Sequence, residues 1–138
     1  MDNVNDKDNN SMLDEFQYLV DDLFVRNKSL IDAMTKYQES NSRVNRNISK
    51  AITQCGCIRL HAIKQSLNKD DTLEDSKDNL NTHVKGILCN NCRDLIEKEI
   101  GRNLFYLAVL CNDLGISIYD VLLKEQKRLS TLGNYSLR

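Results

Sequence analysis

The chain has 138 residues, 41% of them hydrophobic, and its 19 basic and 20 acidic side chains leave a net charge of −1 at pH 7. This length suits a single domain, and the apolar content excludes a wholly disordered chain. Because neither sign of charge predominates, the composition predicts no nucleic-acid partner. Proline is absent and glycine is sparse, so we expect helices joined by polar turns, that is, an all-α fold.

No apolar stretch of the sequence approaches the roughly 20 residues that cross a bilayer, and residues 1–10 do not begin like a signal peptide. We therefore expect a cytoplasmic protein with no membrane partner. In a reducing cytosol, the five cysteines are expected to be free, metal-bound or redox-active rather than paired in structural disulfides.

Apolar residues spaced by three and four predict amphipathic helices along most of the chain. Residues 1–11 are rich in Asn and Asp and are expected to form a mobile tail, followed by a single domain over residues 12–138. A first helix is predicted over residues 12–38. The polar residues 39–42 are expected to separate it from a second helix, which is interrupted or ends near Gly56.

The later elements are predicted from the same periodicity and from capping residues. Helical structure is expected to continue over residues 58–67, and Thr72 is placed to cap a short helix. The most strongly periodic helix is expected to be capped by Asn90 or Asn91 and to end at Gly115 in a left-handed C-cap. A last amphipathic helix is expected after it.

Four of the cysteines form two close pairs, Cys55 with Cys57 and Cys89 with Cys92. A tetrahedral soft-metal site requires such pairs, because each pair spans one edge of the tetrahedron and Gly56 lets the backbone bend around the ion. We therefore predict these four thiolates as metal ligands, with zinc as the expected ion and an iron–sulfur cluster as the second choice. Packing of the thiols and dithiol redox chemistry stay open as alternatives.

Two other side-chain patterns have simpler interpretations. Cys111 lies within an apolar helical face and is predicted to be a core residue. Three basic residues share one face of the second predicted helix, where they suit either phosphate contacts or a solvated surface, and the solvated surface is favoured. They are Arg43, Arg46 and Lys50.

Two segments of the chain resemble one known family. Residues 99–122 read E-I-G-R-N-L-F-Y-L-A-V-L-C-N-D-L-G-I-S-I-Y-D-V-L. They resemble the third and fourth helices of the MazG-like nucleoside triphosphate pyrophosphohydrolases, which read approximately E-x-G-D-x-L-x-Y-L-x-x-L-A-x-x-L-G-I-x-L-x-x-V-L. Residues 50–58, K-A-I-T-Q-C-G-C-I, are similar to the family's second-helix pattern K-x-x-E-E-x-G-E-L. Apolar positions carry most of both matches.

The resemblance implies an all-α MazG-like bundle of four or five helices that forms a homodimer by pairing helices across subunits. It also implies a nucleotide substrate whose triphosphate is bridged by magnesium, which the family holds with E-x-x-E and E-x-x-D. At these positions this chain has Gln54, Cys57, Glu99 and Arg102, so three of the four acids are replaced. Magnesium requires anionic oxygen ligands, and a guanidinium group repels it. The resemblance therefore predicts the fold without predicting the family's magnesium chemistry.

Two functions of different class follow from these observations. In the first, the chain is a divergent nucleotide pyrophosphohydrolase or nucleotide binder. Glu99 is then its remaining catalytic acid, Lys50 and Arg102 face phosphates, and magnesium is a cofactor only if the protein is active. In the second, the nucleotide site is lost, and the domain is a non-catalytic cytoplasmic regulatory or binding module built around the four-cysteine metal site.

Overall fold

The structure is a computed structural model, and it describes residues 4–23, 29–66 and 68–132. Helices predominate in these residues, as the sequence predicts, but two short antiparallel strands are also present. The helices are α1 (Val4–Leu23), α2 (Leu30–Lys50), α3 (Leu73–Asn79), α4 (Asn90–Leu114) and α5 (Ile118–Leu132). The strands are β1 (Ile58–Leu60) and β2 (Val84–Gly86).

Contacts divide the chain into two compact units. The helical unit comprises Met1–Val44 and Lys98–Arg138, and the thiol unit comprises Asn45–Glu97. The single domain over residues 12–138 and the mobile tail over residues 1–11 stay predictions. Where the description of the chain begins, at Val4, the backbone is already helical.

The helical unit has its own apolar core, to which α1, α2, α4 and α5 contribute. The turn between α4 and α5 is closed by Gly115, whose φ of +66° is the left-handed conformation that the sequence predicts at this helix end. The core consists of the buried residues Val20, Ala33, Ala108 and Val109, with Phe16, Phe105, Leu110 and Ile118 packed against them.

The predicted first helix over residues 12–38 is wrong, because α1 ends at Leu23 and α2 begins at Leu30, with residues 24–28 outside the described part. The predicted break at residues 39–42 is wrong as well, since α2 runs through it. Glu39 pairs with Arg43 one turn later at 2.9 Å, and the Ser40 hydroxyl donates to the Tyr37 carbonyl at 2.7 Å. Polar side chains that find partners in this way do not interrupt a helix.

Within the thiol unit, α2 ends at Lys50 and passes into a π-helical turn, Ala51–Cys55. Gly56 closes this turn with a φ of +76°, and its N–H donates to the Ala51 carbonyl at 2.9 Å. The helix predicted over residues 58–67 is therefore wrong: after the left-handed glycine the chain extends and Ile58–Leu60 pairs with Val84–Gly86. The two strands are the departure from the all-α prediction.

Gly86 is required where the two strands approach each other. Its φ is +92°, and a Cβ atom at this position would lie 2.5 Å from the Cys57 carbonyl oxygen. The core of the thiol unit lies beside it and contains cysteines as well as aliphatic residues. Its buried members are Ala51, Ile58, Cys92 and Ile96, and Ile52, Cys57, Leu88 and Cys89 pack against them.

Helix α3 has the N-cap that the sequence predicts. Thr72 Oγ1 accepts a hydrogen bond from the Asp75 N–H at 3.2 Å, and Asp75 Oδ2 accepts one from the Thr72 N–H at 3.3 Å. This is a reciprocal capping box.

No individual helix among the described residues combines the length and apolar character that crossing a membrane requires. Taken together, α4 and α5 meet the length and composition criteria of a broken span, with a bend of 103° between them.

Candidate metal centre

The four cysteines of the two predicted pairs lie together in the thiol unit. Their sulfur atoms all lie within 4.8 Å of one another, and the Cys55 and Cys89 sulfurs are 3.8 Å apart. A regular tetrahedron with zinc–sulfur bonds of about 2.3 Å has sulfur–sulfur edges of about 3.8 Å. The arrangement therefore has the dimensions of a site for one tetrahedral ion.

Local backbone geometry places each cysteine of the cluster. Cys55 is the last residue of the π-helical turn, and the left-handed Gly56 redirects the chain so that Cys57 directly precedes β1. Cys89 directly precedes α4, and Cys92 lies in the first turn of that helix. Pairing of β1 with β2 brings the two segments together, because each strand is close in sequence to one cysteine pair.

Cys89 also caps α4, since the Cys92 N–H donates to its sulfur at 3.4 Å. The predicted cap at Asn90 or Asn91 is therefore wrong, because the helix begins at Asn90 itself. This N–H is the largest cause of a fall in the pKa of Cys89 to about 7, and the Cys92 side chain adds to the fall. Hydrogen bonding to Cys89 is also the main cause that raises the pKa of Cys92 to about 12, and burial of Cys92 adds to it.

These two pKa values describe how the metal-free pair shares its protons. Cys89 therefore ionises more readily than Cys92, whose thiol keeps its proton and donates toward Cys89. A soft cation binds thiolates, so binding must displace the Cys92 proton and is opposed at low pH. Metal binding to the cluster therefore releases protons.

Exposure differs among the four thiols. Cys92 is buried, Cys57 and Cys89 are half-buried, and Cys55 is exposed. Packing does not account for an exposed cysteine whose sulfur lies among three others. Four protein ligands fill a tetrahedral shell and leave no position for a substrate, which is typical of structural rather than catalytic sites.

The residues at the family's magnesium positions do not supply the ligands that magnesium requires. Gln54 offers a neutral amide, and Cys57 belongs to the thiol cluster. Glu99 and Arg102 lie one turn apart on α4 and pair with each other at 3.2 Å. The Glu99 side chain is 13% exposed, and its Oε2 is buried without a hydrogen-bond partner in the described part of the chain. A carboxylate already neutralised by a guanidinium is a poor ligand for a hard cation.

The two residues predicted to face phosphates belong to different units. Lys50 is the exposed last residue of α2 and lies in the thiol unit. Arg102 lies in the helical unit, where it lines a pocket of about 130 Å³ that the sequence did not reveal. The sequence feature that could have indicated this pocket is the three-and-four spacing of polar residues along α2, which places them on one face of the helix. The other residues that line the pocket are Lys36, Glu39, Ser40, Arg43 and Tyr106.

Comparison of the chain with models of protein families, with curated proteins and with solved structures gives no match.

Proposed function

We propose that this chain is a metal-binding module in which Cys55, Cys57, Cys89 and Cys92 hold one zinc ion that stabilises the thiol unit. The observation that carries the proposal is that the four sulfurs lie within 4.8 Å of one another although they come from two distant segments. Zinc accepts tetrahedral thiolate coordination, and it has no redox chemistry that would make such a site labile.

The small core of the thiol unit supports a structural role for the ion. Of its four buried residues, one is a ligand cysteine and one is alanine. Apolar burial stabilises in proportion to the area removed from water, and these side chains supply little area. In zinc-finger peptides, a structural zinc contributes on the order of 10 kcal/mol to folding. An ion bound here would therefore dominate the stability of residues 45–97.

The spacing of the sulfurs favours one ion over the other interpretations of the thiols. In an iron–sulfur cluster the cysteines bind different iron atoms, so their sulfurs lie further apart than around a single ion. A dithiol redox pair needs two sulfurs, whereas here each sulfur has three neighbours within 4.8 Å. One tetrahedral ion would bind all four sulfurs.

Elemental analysis of protein purified without an affinity tag or chelator tests the proposal. We expect one zinc per chain in the native protein and none in the Cys92→Ser variant. Cys111→Ser is the matched control, because Cys111 is also a buried cysteine of α4 but is not part of the cluster. Absence of metal from the native protein, or equal loss in both variants, would sink the proposal. One iron per chain would keep the site and change its ion.

We further propose that the MazG-like resemblance describes the fold and not an activity, so the chain acts as a regulatory or binding module. The Glu99–Arg102 pair supports this, because it occupies two of the family's magnesium positions without offering a free carboxylate. With nucleoside triphosphates and magnesium, we expect no release of pyrophosphate above that of the Glu99→Gln variant. Release that this substitution abolishes would restore the hydrolase function.

A homodimer remains our proposal for the oligomeric state. Several large apolar residues of α1 and α2 are more than half exposed, and a second copy of the chain would cover them. They are Leu19, Leu23, Ile31 and Met34. Light scattering coupled to size-exclusion chromatography should give twice the chain mass of 15.9 kDa. A mass equal to that of one chain at micromolar concentration would exclude a stable dimer.

A further inference from the structure

A polar pocket of about 130 Å³ lies in the helical unit, between one face of α2 and one face of α4. Lys36, Ser40 and Arg43 follow one another along α2 at helical spacing, and Arg102 and Tyr106 lie one turn apart on α4. Three cationic side chains from two helices therefore converge on one small space.

The lining of the pocket carries the cations of Lys36, Arg43 and Arg102 and the carboxylate of Glu39, with which Arg43 pairs at 2.9 Å. Two further acids, Asp32 and Glu99, pair with Lys36 and Arg102 at 3.4 and 3.2 Å but are not part of the lining. Each cation therefore has one carboxylate partner, and the three cations and three acids together carry 3 − 3 = 0 charge, so an anion must bind through the N–H donors that these pairs leave free.

The guanidinium groups of Arg43 and Arg102 retain donors for such an anion. Arg43 uses Nε and one terminal nitrogen on Glu39, and Arg102 uses one terminal nitrogen on Glu99. Each guanidinium carries five N–H donors in a planar fork that suits the oxygens of phosphate. Tyr106 adds a hydroxyl donor to the lining.

One residue of the pocket lining, Ser40, makes buried hydrogen bonds. Ser40 is 2% exposed, and its hydroxyl accepts a hydrogen bond from Asn103 Nδ2 at 3.0 Å while donating to the Tyr37 carbonyl at 2.7 Å. Asn103 also donates to the Asn41 side chain. This link between α2 and α4 fixes the spacing of the cations before any ligand arrives, which lowers the entropic cost of binding.

The size of the pocket limits the ligand. Sites for whole cofactors and drug-sized ligands occupy about 300–1,000 Å³, whereas this pocket has a volume of about 130 Å³. A phosphoryl group fits such a space, while a whole nucleotide does not.

We propose that Lys36, Arg43 and Arg102 form a binding site for a phosphoryl group, taken directly by the cations and without a divalent metal ion. The group is either free inorganic phosphate or the phosphate end of a larger molecule whose remainder lies outside the pocket. The site lies wholly in the helical unit and does not depend on the metal proposed for the thiol unit.

Titration of the full chain with inorganic phosphate, followed by two-dimensional NMR without added magnesium, tests this site. Saturable shifts should appear at residues of the pocket. Arg102→Gln should weaken binding at least about tenfold, as expected for the loss of charge-assisted hydrogen bonds. Adenosine monophosphate separates the two sources: tighter binding than phosphate indicates a larger ligand, and equal binding indicates free phosphate.

Arg128→Gln is the matched control. Arg128 is 49% exposed and pairs with Glu125 three residues earlier, whereas Arg102 is 48% exposed and pairs with Glu99 three residues earlier. Arg128 does not line the pocket. Phosphate affinity should therefore stay within about twofold of the native value in this variant. Absence of saturable binding, equal weakening in the two variants, or binding that requires magnesium would overturn the proposal.

Discussion

The interactions within the helical unit differ in kind from those within the thiol unit. The helical unit combines apolar packing with a network of side-chain amides around Gln17. Gln17 Nε2 donates to Asn112 Oδ1 at 3.0 Å and to the Ile116 carbonyl at 2.6 Å, and its Oε1 accepts from the Ile118 N–H at 2.9 Å. In the thiol unit, the core itself contains cysteines.

The metal ion that we propose would explain how the thiol unit is stabilised although its core has few large apolar residues. Many separate contacts stabilise the helical unit, so the loss of one contact removes a modest share of the stability. In the thiol unit, a metal ion would join four positions at once, and its loss would remove their contributions together. The two units should therefore respond differently to the same kind of perturbation.

Metal removal should have the largest effect. In strong chelator, we expect the amides of Ile58–Leu60 and Val84–Gly86 to lose their protection from hydrogen exchange, because the free energy of metal binding, on the order of 10 kcal/mol, is lost. The amides of α5 should keep their protection. Hydrogen exchange read by mass spectrometry measures both, and equal loss of protection in α5 would show that the units do not differ in this way.

Substitution of Gly86 should have the next largest effect. In Gly86→Ala, the new Cβ would approach the Cys57 carbonyl oxygen to 2.5 Å, and alanine at a φ of +92° is strained. We expect a loss of about 2 to 3 kcal/mol, measured by chemical denaturation followed by circular dichroism.

Gly101→Ala is the control for that substitution. Gly101 lies within α4, and a Cβ at this position would have nothing within 4 Å. Alanine should stabilise the helix there by about 0.5 to 1 kcal/mol, because it restricts the unfolded chain. If both variants lose stability equally, close strand approach is not what requires Gly86.

Breaking the amide network of the helical unit should cost less. Gln17→Leu removes the donor to Asn112 Oδ1 and the acceptor of the Ile118 N–H, and we expect a loss of about 1 to 2 kcal/mol in chemical denaturation. Gln38→Leu, at an exposed position of α2, should change the stability by less than about 0.5 kcal/mol. An equally small change in Gln17→Leu would show that packing alone holds α1 to the turn before α5.

Removal of the α3 cap should have the smallest effect. Thr72→Ala deletes the hydroxyl that accepts from the Asp75 N–H, and we expect a local loss of about 1 kcal/mol. Faster hydrogen exchange within Leu73–Asn79 would report it. Thr131→Ala, at an exposed position of α5, is the control and should leave exchange in α3 unchanged.

Features that depend on neighbouring residues were predicted well from the sequence. Periodicity predicted α4 and α5, Gly115 predicted the end of α4, and Thr72 predicted the start of α3. The spacing within each cysteine pair indicated a cluster, because two sulfurs close in sequence already define one edge of a tetrahedron. That the two pairs meet depends on the pairing of β1 with β2.

Features that depend on distant partners were missed. Each strand has three residues, too few for alternation to be recognised against a helical pattern. Residues 39–42 read as a helix break because Asn103, the partner of Ser40, is 63 residues away in sequence. The basic pocket was missed for the same reason, since α2 and α4 each contribute only part of its charge.

The π-helical turn, Ala51–Cys55, has a consequence for length variation. Each residue of a helix takes up about a quarter of a turn, so removal of one residue from this segment would aim Cys55 away from the other sulfurs. Thr53 and Gln54 are exposed, and exchange of their side chains leaves that angle unchanged. Related or designed chains that keep the four-cysteine cluster should therefore vary in sequence at these two positions while the number of residues before Cys55 stays fixed.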